Sequence, residues 1–396
     1  SPVPRLRDYR GPALLSYGFR PFFLLGAIQA GLAMAAWLPI FNGQLAVSTA
    51  FGPIDWHVHE MLYGFLPAVV TGFLLTAIPN WTGRLPIQGM PLLVLVAVWL
   101  AGRVAVTYSA NIGWLTAAII DGAFLMLVIA ATAREIVAGS NWRNLRVVVR
   151  VTLLLAGNIA FHFEAHYSGS AEYGARIGIA AIVLLIAVIG GRIVPSFTRN
   201  WLARENPGRL PVPFGKFDAA IILFSAAVLA LWIVQPTGNL AAAALFAAGA
   251  LHIVRLGRWA GDRTWRDRLV LILHVGYAFV PFGFLLAGAA ALGMVMGDIG
   301  THAWTVGAAG TMTLAVMTRA SLGHTGNALV ASPVTQAIYA GVVIAALARI
   351  CASLEPGWSE PLLQVAALAW VAAYLGFAAS FGPLLLTSQR AKKAQP

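Results

Sequence analysis

The sequence is 396 residues long, 59% apolar and only 10% charged. Soluble domains carry about 25% charged residues, so this composition excludes a chain whose whole surface faces water. The net charge of +12 does not indicate nucleic-acid binding, because the basic residues lie in short connections between apolar stretches, next to tryptophans. That distribution is typical of the positive-inside bias of membrane proteins. The composition therefore predicts an all-α integral membrane protein.

Apolar stretches of about twenty residues recur along the chain, and each is long enough to cross a hydrocarbon core of ~30 Å. Twelve of them are predicted as transmembrane helices, at residues 22–40, 57–79, 90–108, 113–132, 147–166, 175–197, 218–234, 239–256, 268–293, 302–322, 333–353 and 362–386. The connection 198–216 is the longest polar stretch. It divides the predicted single bundle of residues 1–396 into six plus six helices.

The charges of the connections test the number of spans. In a twelve-span topology most arginines and lysines fall on the side that holds the loop 198–216 and both termini. The other side carries mainly acidic residues, namely Asp55, Glu164, Glu172, Asp298, Glu355 and Glu360. A wrong count would invert the charges of all later loops. The positive-inside rule then predicts that both termini are cytoplasmic.

The eight histidines fall into two groups in this topology. At the outer ends of the helices lie His57, His59, His162, His166 and His302, and near the inner ends lie His252, His274 and His324. Ionisable groups at membrane depth are costly and usually functional. His302 and His324 are 22 residues apart on one predicted helix, or ~33 Å at 1.5 Å per residue. One metal ion cannot bind both, so two separate centres are predicted.

The densest outer motif is WHVHEM at residues 56–61. Positions i and i+2 of a helix point to different faces, so the two histidines would serve different centres, such as two haems or a haem and a copper ion. The predicted metal ligands are His57, His59, His162 and His302. The predicted catalytic residues are Glu60, as a proton donor or an orienting carboxylate, and Tyr63, which shares a face with His59. The alternative is an interfacial belt of Trp, Tyr and His, and His166 is assigned to solvent.

The inner group contains imidazoles, arginines and a tyrosine at a similar depth. Its members are His252, His274, His324, Arg192, Arg319 and Tyr277. Together they could hold a haem and its propionates, or pass electrons and protons inward. The alternative is that the basic residues are interfacial anchors that snorkel to the headgroups.

Several motifs of other function classes are absent from the sequence. It has no P-loop, no G-x-G-x-x-G after a strand and no H-E-x-x-H. Its single cysteine, Cys351, excludes an iron–sulfur cluster and covalently attached haem. Nucleotide-driven and hydrolytic functions therefore lose their support.

Eight strings of the sequence resemble motifs of the NnrS family of membrane proteins. They are GFRPFF (18–23), WHVHEM (56–61), GFLLTAIPNWTGR (72–84), NWRN (141–144), GR (191–192), FTRNW (197–201), HVGY (274–277) and MTRASLGHTG (317–326). The resemblance implies a multi-pass protein of the bacterial inner membrane with haem b and copper and a role in the nitric oxide response. The family's histidine positions match all those of the chain except His166. The chain departs from the family at Asn327, where the family has arginine.

Two functions of different classes remain open from the sequence. The first is a redox enzyme of the nitric oxide reductase type, by analogy with haem-copper oxidases, with quinol or a redox carrier as the electron donor. The second is a transporter, or a non-catalytic sensor or scaffold, for metal, haem or nitrogen oxides. Internal repeats and broken helices at the midplane would favour a transporter, and no repeat is visible in the sequence.

Overall fold

The computed structural model describes residues 9–387, and no β-strand occurs within that range. Twelve long helices lie there: α1 (Phe19–Phe41), α2 (Pro53–Thr82), α3 (Met90–Thr107), α4 (Trp114–Ala138), α5 (Leu145–Ser168), α6 (Glu172–Glu205), α7 (Lys216–Val234), α8 (Asn239–Gly257), α9 (Arg268–Ala291), α10 (residues 299–324), α11 (Pro333–Leu354) and α12 (Ser359–Leu386). Eleven of them, all except α10, are long and apolar enough to cross a membrane. The predicted all-α, polytopic membrane fold is thereby confirmed.

Helix α10 corresponds to the predicted tenth span. It runs without a break through Ile299–His302, Ala303–Gly310 and Thr311–His324. Its length suffices to cross a bilayer at 1.5 Å per residue, but His302, Arg319 and several threonines make it less apolar than the others.

Two of the helices contain π-helical segments. In α2 the segment Glu60–Phe65 begins directly after His59, and in α10 the segment Ala303–Gly310 begins directly after His302. Such segments are rare and frequently occur at functional sites. Each segment therefore marks the histidine that precedes it as a candidate functional residue.

The chain forms two compact units. Unit 1 consists of the described parts of Ser1–Gly178, Ala320–Ala328 and Tyr374–Pro396, and unit 2 consists of Ile179–Arg319 and Leu329–Ala373. The division into six plus six helices about residues 198–216 stays a prediction.

The GFRPFF motif explains how the first helix packs within unit 1. Phe22 and Phe23 are fully buried, and a Cβ atom on Gly72 of α2 would lie 2.8 Å from the Phe23 ring. Buried Arg20 donates to the carbonyl oxygens of Leu385 and Thr387, at 2.7 and 2.9 Å. These belong to the last turn of α12, where carbonyls lack partners within the helix. The motif thus joins the first helix to the last.

Candidate metal centre

Five polar side chains from four helices meet in the interior of unit 1. They are His59 of α2, Arg103 of α3, Asp121 of α4, and Asn158 and His162 of α5, and all five are buried. We call this set the unit 1 cluster. Buried ionisable groups in a membrane protein are costly unless they are paired, and they tend to mark functional sites. The cluster is therefore the leading candidate site.

The donor atoms of the cluster converge on one point. Nε2 of His59 lies 3.2 Å from Oδ2 of Asp121, and Nε2 of His162 lies 3.3 Å from the same oxygen. Oδ1 of Asn158 lies 3.0 Å from Nε2 of His59. One donor atom from each of His59, Asp121 and His162 falls within 4.8 Å of the other two. Ligands of one metal ion lie about 3.0–3.4 Å apart when the bonds are about 2.1 Å long. The two spacings to Oδ2 of Asp121, and the spacing between Asn158 and His59, therefore match those of ligands of one metal ion.

The carboxylate of Asp121 is held in one orientation by two neighbours. Arg103 donates from Nη2 to Oδ1, and Asn158 donates from Nδ2 to Oδ2 across 2.7 Å. Oδ2 also faces both histidines, whereas Oδ1 is directed to the arginine. Asp121 is thus set to offer Oδ2 as a single ligand atom.

Glu60 lies behind His59, away from the point of convergence. Arg103 donates from Nη1 to Oε1 of Glu60 across 2.6 Å, so its guanidinium bridges the carboxylates of Glu60 and Asp121. Nδ1 of His59 lies 3.5 Å from the same Oε1, and Gln29 donates to Oε2. A carboxylate behind a ligating histidine fixes the tautomer that presents the other nitrogen to the metal. The position of Glu60 suits that orienting role.

Aromatic rings cover the cluster. The Phe51 ring centroid lies 5.1 Å from the imidazole of His59 and 5.2 Å from that of His162. Tyr63 lies 5.5 Å from the His59 ring, and its hydroxyl donates to the carbonyl of Gly174 across 2.6 Å. The cover is apolar on the side of Phe51, which shields both imidazoles from water.

One glycine makes room for the guanidinium of Arg103, and another makes room for the carboxylate of Asp121. A Cβ atom on Gly64 would lie 2.5 Å from Nη1 of Arg103 and 3.2 Å from Oε2 of Glu60. A Cβ atom on Gly102 would lie 3.0 Å from Oδ1 of Asp121. Because Gly64 lies in the π-helical segment of α2, the guanidinium of Arg103 packs directly against that segment.

Two other predicted outer histidines of unit 1 have different surroundings. The ring of His57 packs against Trp37, with centroids 4.3 Å apart. His166 is exposed and stacks on Trp114, in agreement with its assignment outside the predicted ligand set. The role of His57 as a metal ligand stays a prediction.

The fourth predicted metal ligand, His302, lies in unit 2. Its Nδ1 donates to the backbone carbonyl of Asp298 across 2.9 Å, so Nε2 carries the lone pair that a metal ion or haem would need. Arg349 donates to the carboxylate of Asp298 across 2.5 Å. Burial raises the pKa of Asp298, but the charges of His302 and Arg349 lower it further, so this pKa lies below its ordinary value. His302 remains a predicted ligand with a defined tautomer.

Unit 2 contains a buried chain of hydrogen bonds around His252, which belongs to the predicted inner group. Nε2 of His252 lies 2.9 Å from Oγ of Ser225, and Nδ1 lies 3.0 Å from the hydroxyl of Tyr277. Arg255 donates from Nη1 to that hydroxyl across 2.6 Å and from Nε to Asp218 across 3.0 Å. Both ring nitrogens of His252 are therefore in hydrogen bonds within the protein.

The other predicted inner residues of unit 2 lie on α6, α9 and α10. Nε2 of His274 lies 2.8 Å from Oγ1 of Thr198, and the guanidinium of Arg319 lies 4.2 Å from the ring centroid of Phe197. Arg192 lies on α6. Their predicted role in holding a haem stays a prediction.

His324 belongs to unit 1, unlike the rest of the predicted inner group. Its ring packs between Tyr17 and Phe19, with centroids 5.6 and 5.5 Å away. Two of the strings behind the family resemblance, GFRPFF and MTRASLGHTG, thus meet in the structure.

Three members of the unit 1 cluster were missed as site residues by sequence reasoning. Asp121 lies in the middle of an apolar span, Asn158 lies one turn before His162, and Arg103 lies within α3. An acidic residue inside a transmembrane stretch is itself a signal of function, and applying that rule to the span 113–132 would have found Asp121. The role of Asn158 carried no such signal.

The fold and the cluster together define a polytopic helical membrane protein with a buried site of metal-ligand composition. The model of one family, described as NnrS protein, matches residues 13–389. The chain therefore belongs to the NnrS family, as the resemblance implied. A search of curated proteins found no match to the chain.

Proposed function

We propose that the unit 1 cluster binds a metal ion through His59, Asp121 and His162, and that this centre acts on nitric oxide. The observation that carries the proposal is the convergence of three buried donor atoms within 4.8 Å of one another. Membership of the NnrS family supports nitric oxide as the ligand. The family also supports haem and copper as candidate cofactors, and it supports the bacterial inner membrane as the location.

The residues around the site support this chemistry. A bound metal ion would supply a coordination position at which nitric oxide, a small and nearly apolar molecule, can bind. Asp121 is fixed by Arg103 and Asn158, so the ligand set is preorganised. Phe51 covers both imidazoles and keeps water away.

A reductive reaction on nitric oxide would need electrons and protons. Joining two nitric oxide molecules into nitrous oxide and water consumes two electrons and two protons. Glu60, which accepts from Arg103 and Gln29 beside His59, is the carboxylate nearest to the proposed ligands that is not itself a ligand. It is our candidate to take up each proton during the reaction and pass it on to the bound nitric oxide. Tyr63 is the second candidate, although its hydroxyl proton is engaged by Gly174. Quinol or a redox carrier is the proposed electron donor.

Metal content and nitric oxide binding test the proposal. The protein would be purified anaerobically in detergent, its metals quantified, and its optical and paramagnetic resonance spectra recorded before and after addition of nitric oxide. We expect a metal ion whose spectrum changes with nitric oxide, and we expect both to be lost in His162→Gln, which keeps a hydrogen-bonding group near Asp121. The matched control is His166→Gln, one turn further along α5 and exposed, which should bind like the unaltered protein.

Either of two results would contradict the proposal. A folded protein without metal, produced with iron, copper and haem supplied, would exclude the metal centre. A bound metal ion whose spectra do not change on addition of nitric oxide would exclude the proposed function, although the metal site itself would be confirmed.

A further inference from the structure

We infer that the metal of the unit 1 cluster is a single non-haem iron ion, held by His59, His162 and Asp121 with Asn158 as a fourth ligand. The inference rests on the proposed function, because it takes nitric oxide as the ligand. It goes further by naming the metal class and by separating this site from any haem that the protein holds elsewhere.

The geometry of the cluster leaves no place for a haem. A haem iron lies at the centre of a wide, flat ring, and that ring must stand directly in front of the ligating nitrogen. In front of Nε2 of His59 lies the Asp121 carboxylate at 3.2 Å, and in front of Nε2 of His162 lies the same carboxylate at 3.3 Å. Phe51 packs on both imidazoles. The spacings of 3.2 and 3.3 Å to Oδ2 match ligands that lie about 2.1 Å from one ion, whereas a porphyrin ring has no room in front of either nitrogen.

The donor types favour iron over copper(I). The cluster offers two imidazole nitrogens, one carboxylate oxygen and one amide oxygen, with no sulfur among them. Thiolate and thioether ligands are what select copper(I), while two histidines and one carboxylate with open positions are typical of non-haem iron(II). Zinc would accept the same donors, but it has no redox chemistry and so cannot serve the proposed function.

Asn158 is placed to complete the ligand set. Its Oδ1 lies 3.0 Å from Nε2 of His59, which matches the spacing of neighbouring ligands, and its Nδ2 donates to Asp121. The amide therefore presents oxygen to the metal and nitrogen to the carboxylate in one fixed orientation.

The test is metal analysis of protein isolated anaerobically from cells supplied with both iron and copper. Total iron, copper and haem are measured separately, and iron in excess of haem is the readout. Nitric oxide is then added, and the paramagnetic resonance signal of high-spin non-haem iron with nitric oxide is sought. We expect about one non-haem iron per chain. We expect the content of non-haem iron per chain to fall at least tenfold in His162→Gln and in Asp121→Asn, and to stay unchanged in His166→Gln.

Asn158 has its own pair of variants. Asn158→Asp supplies an oxygen ligand at the same place and should keep the iron, whereas Asn158→Leu should lower the affinity for iron by about 10–100-fold. Equal affinity in the two variants would overturn the role of Asn158 as a ligand.

The possible failures are distinguishable from one another. Copper in place of iron, lost in His162→Gln, would overturn this inference and leave the proposed metal centre standing. Haem as the only iron would overturn the inference as well. A folded protein without any metal would overturn both proposals.

Discussion

Arg103 is the residue on which the electrostatics of unit 1 depend. Its guanidinium is buried between the carboxylates of Glu60 and Asp121, and each carboxylate has a further partner, Gln29 and Asn158 respectively. Burying charges is expensive, and removing one partner leaves the others uncompensated. The arginine therefore holds two negative groups at a depth where neither would persist alone.

Replacing Arg103 with glutamine should destabilise the protein strongly. We expect a loss of about 3–5 kcal/mol in the free energy of unfolding, because a buried charged group loses its partner. Thermal unfolding in detergent, followed by circular dichroism, would measure the change. Arg209→Gln is the control, since Arg209 forms an exposed pair with Asp262 and such pairs contribute about 0–1 kcal/mol. Equal losses in the two variants would contradict the bridging role.

The hydrogen bonds around His252 have defined directions. The hydroxyl of Ser225 donates to the carbonyl of Ile221, so Nε2 of His252 must carry the proton that Ser225 Oγ accepts. Nδ1 then accepts from the hydroxyl of Tyr277, which in turn accepts from Arg255. These directions leave only one consistent position for the proton of His252, which is Nε2.

This arrangement predicts the tautomer of His252 and the cost of breaking it. Nitrogen NMR of labelled protein should show the proton on Nε2. Tyr277→Phe should destabilise the protein by about 1–3 kcal/mol, because buried polar groups lose their partner. Tyr167→Phe, at an exposed position, should leave the unfolding temperature unchanged. A proton on Nδ1 would contradict the assigned directions.

The π-helical segment of α2 is the element that shapes the proposed metal site. It begins at Glu60 and contains Gly64, whose missing side chain leaves the space for Arg103. We expect Gly64→Ala to displace the guanidinium and to lower metal occupancy at least tenfold, although no ligand is altered. Metal analysis would measure this.

The matched control for that prediction is Gly122→Ala in α4. A Cβ atom there would lie 3.7 Å from the nearest atom of Leu155, which is ordinary contact. Alanine also favours helix over glycine by about 1 kcal/mol. Gly122→Ala should keep both the metal and the stability. Full metal occupancy in Gly64→Ala would show that the segment does not control the site.

The helices were predictable from the sequence, whereas their irregularities were not. Apolar length decides where a segment can cross a membrane, and the predicted span 57–79 lies within the observed Pro53–Thr82. A π-helical segment depends on one extra residue in a turn, and the shift of phase that it causes is not visible in a stretch that is apolar on most sides. The helix that carries His59 was therefore predicted, but the π-helical segment that begins at Glu60 was not.

The cluster was predictable only in part, because its members come from distant places in the chain. His59 and Asn158 are 99 residues apart, and Asp121 and His162 are 41 apart. The prediction of His59 and His162 rested on residue type and membrane depth. Which helices are neighbours is set by packing within unit 1, and one sequence does not contain that information.

The orientation of the whole molecule in the membrane can be tested with single cysteines. The distribution of basic residues predicts that the loop 198–216 is cytoplasmic and that residue 172 faces outward. In a Cys351→Ser background, which has no other cysteine, Glu172→Cys should react with a membrane-impermeant maleimide in intact spheroplasts. Arg209→Cys should react only after lysis. The opposite pattern would invert the topology.

The contact between Arg20 and the end of α12 bears on how the protein is made. The arginine precedes its carbonyl acceptors by 365 and 367 residues. If α1 enters the membrane during synthesis, the ribosome must therefore still add almost the whole chain before these carbonyl groups exist. During that interval a buried cation of the first helix lacks its final partners. Insertion of α1 and its final packing are therefore separate events, and truncation before residue 385 should yield an inserted but protease-sensitive chain.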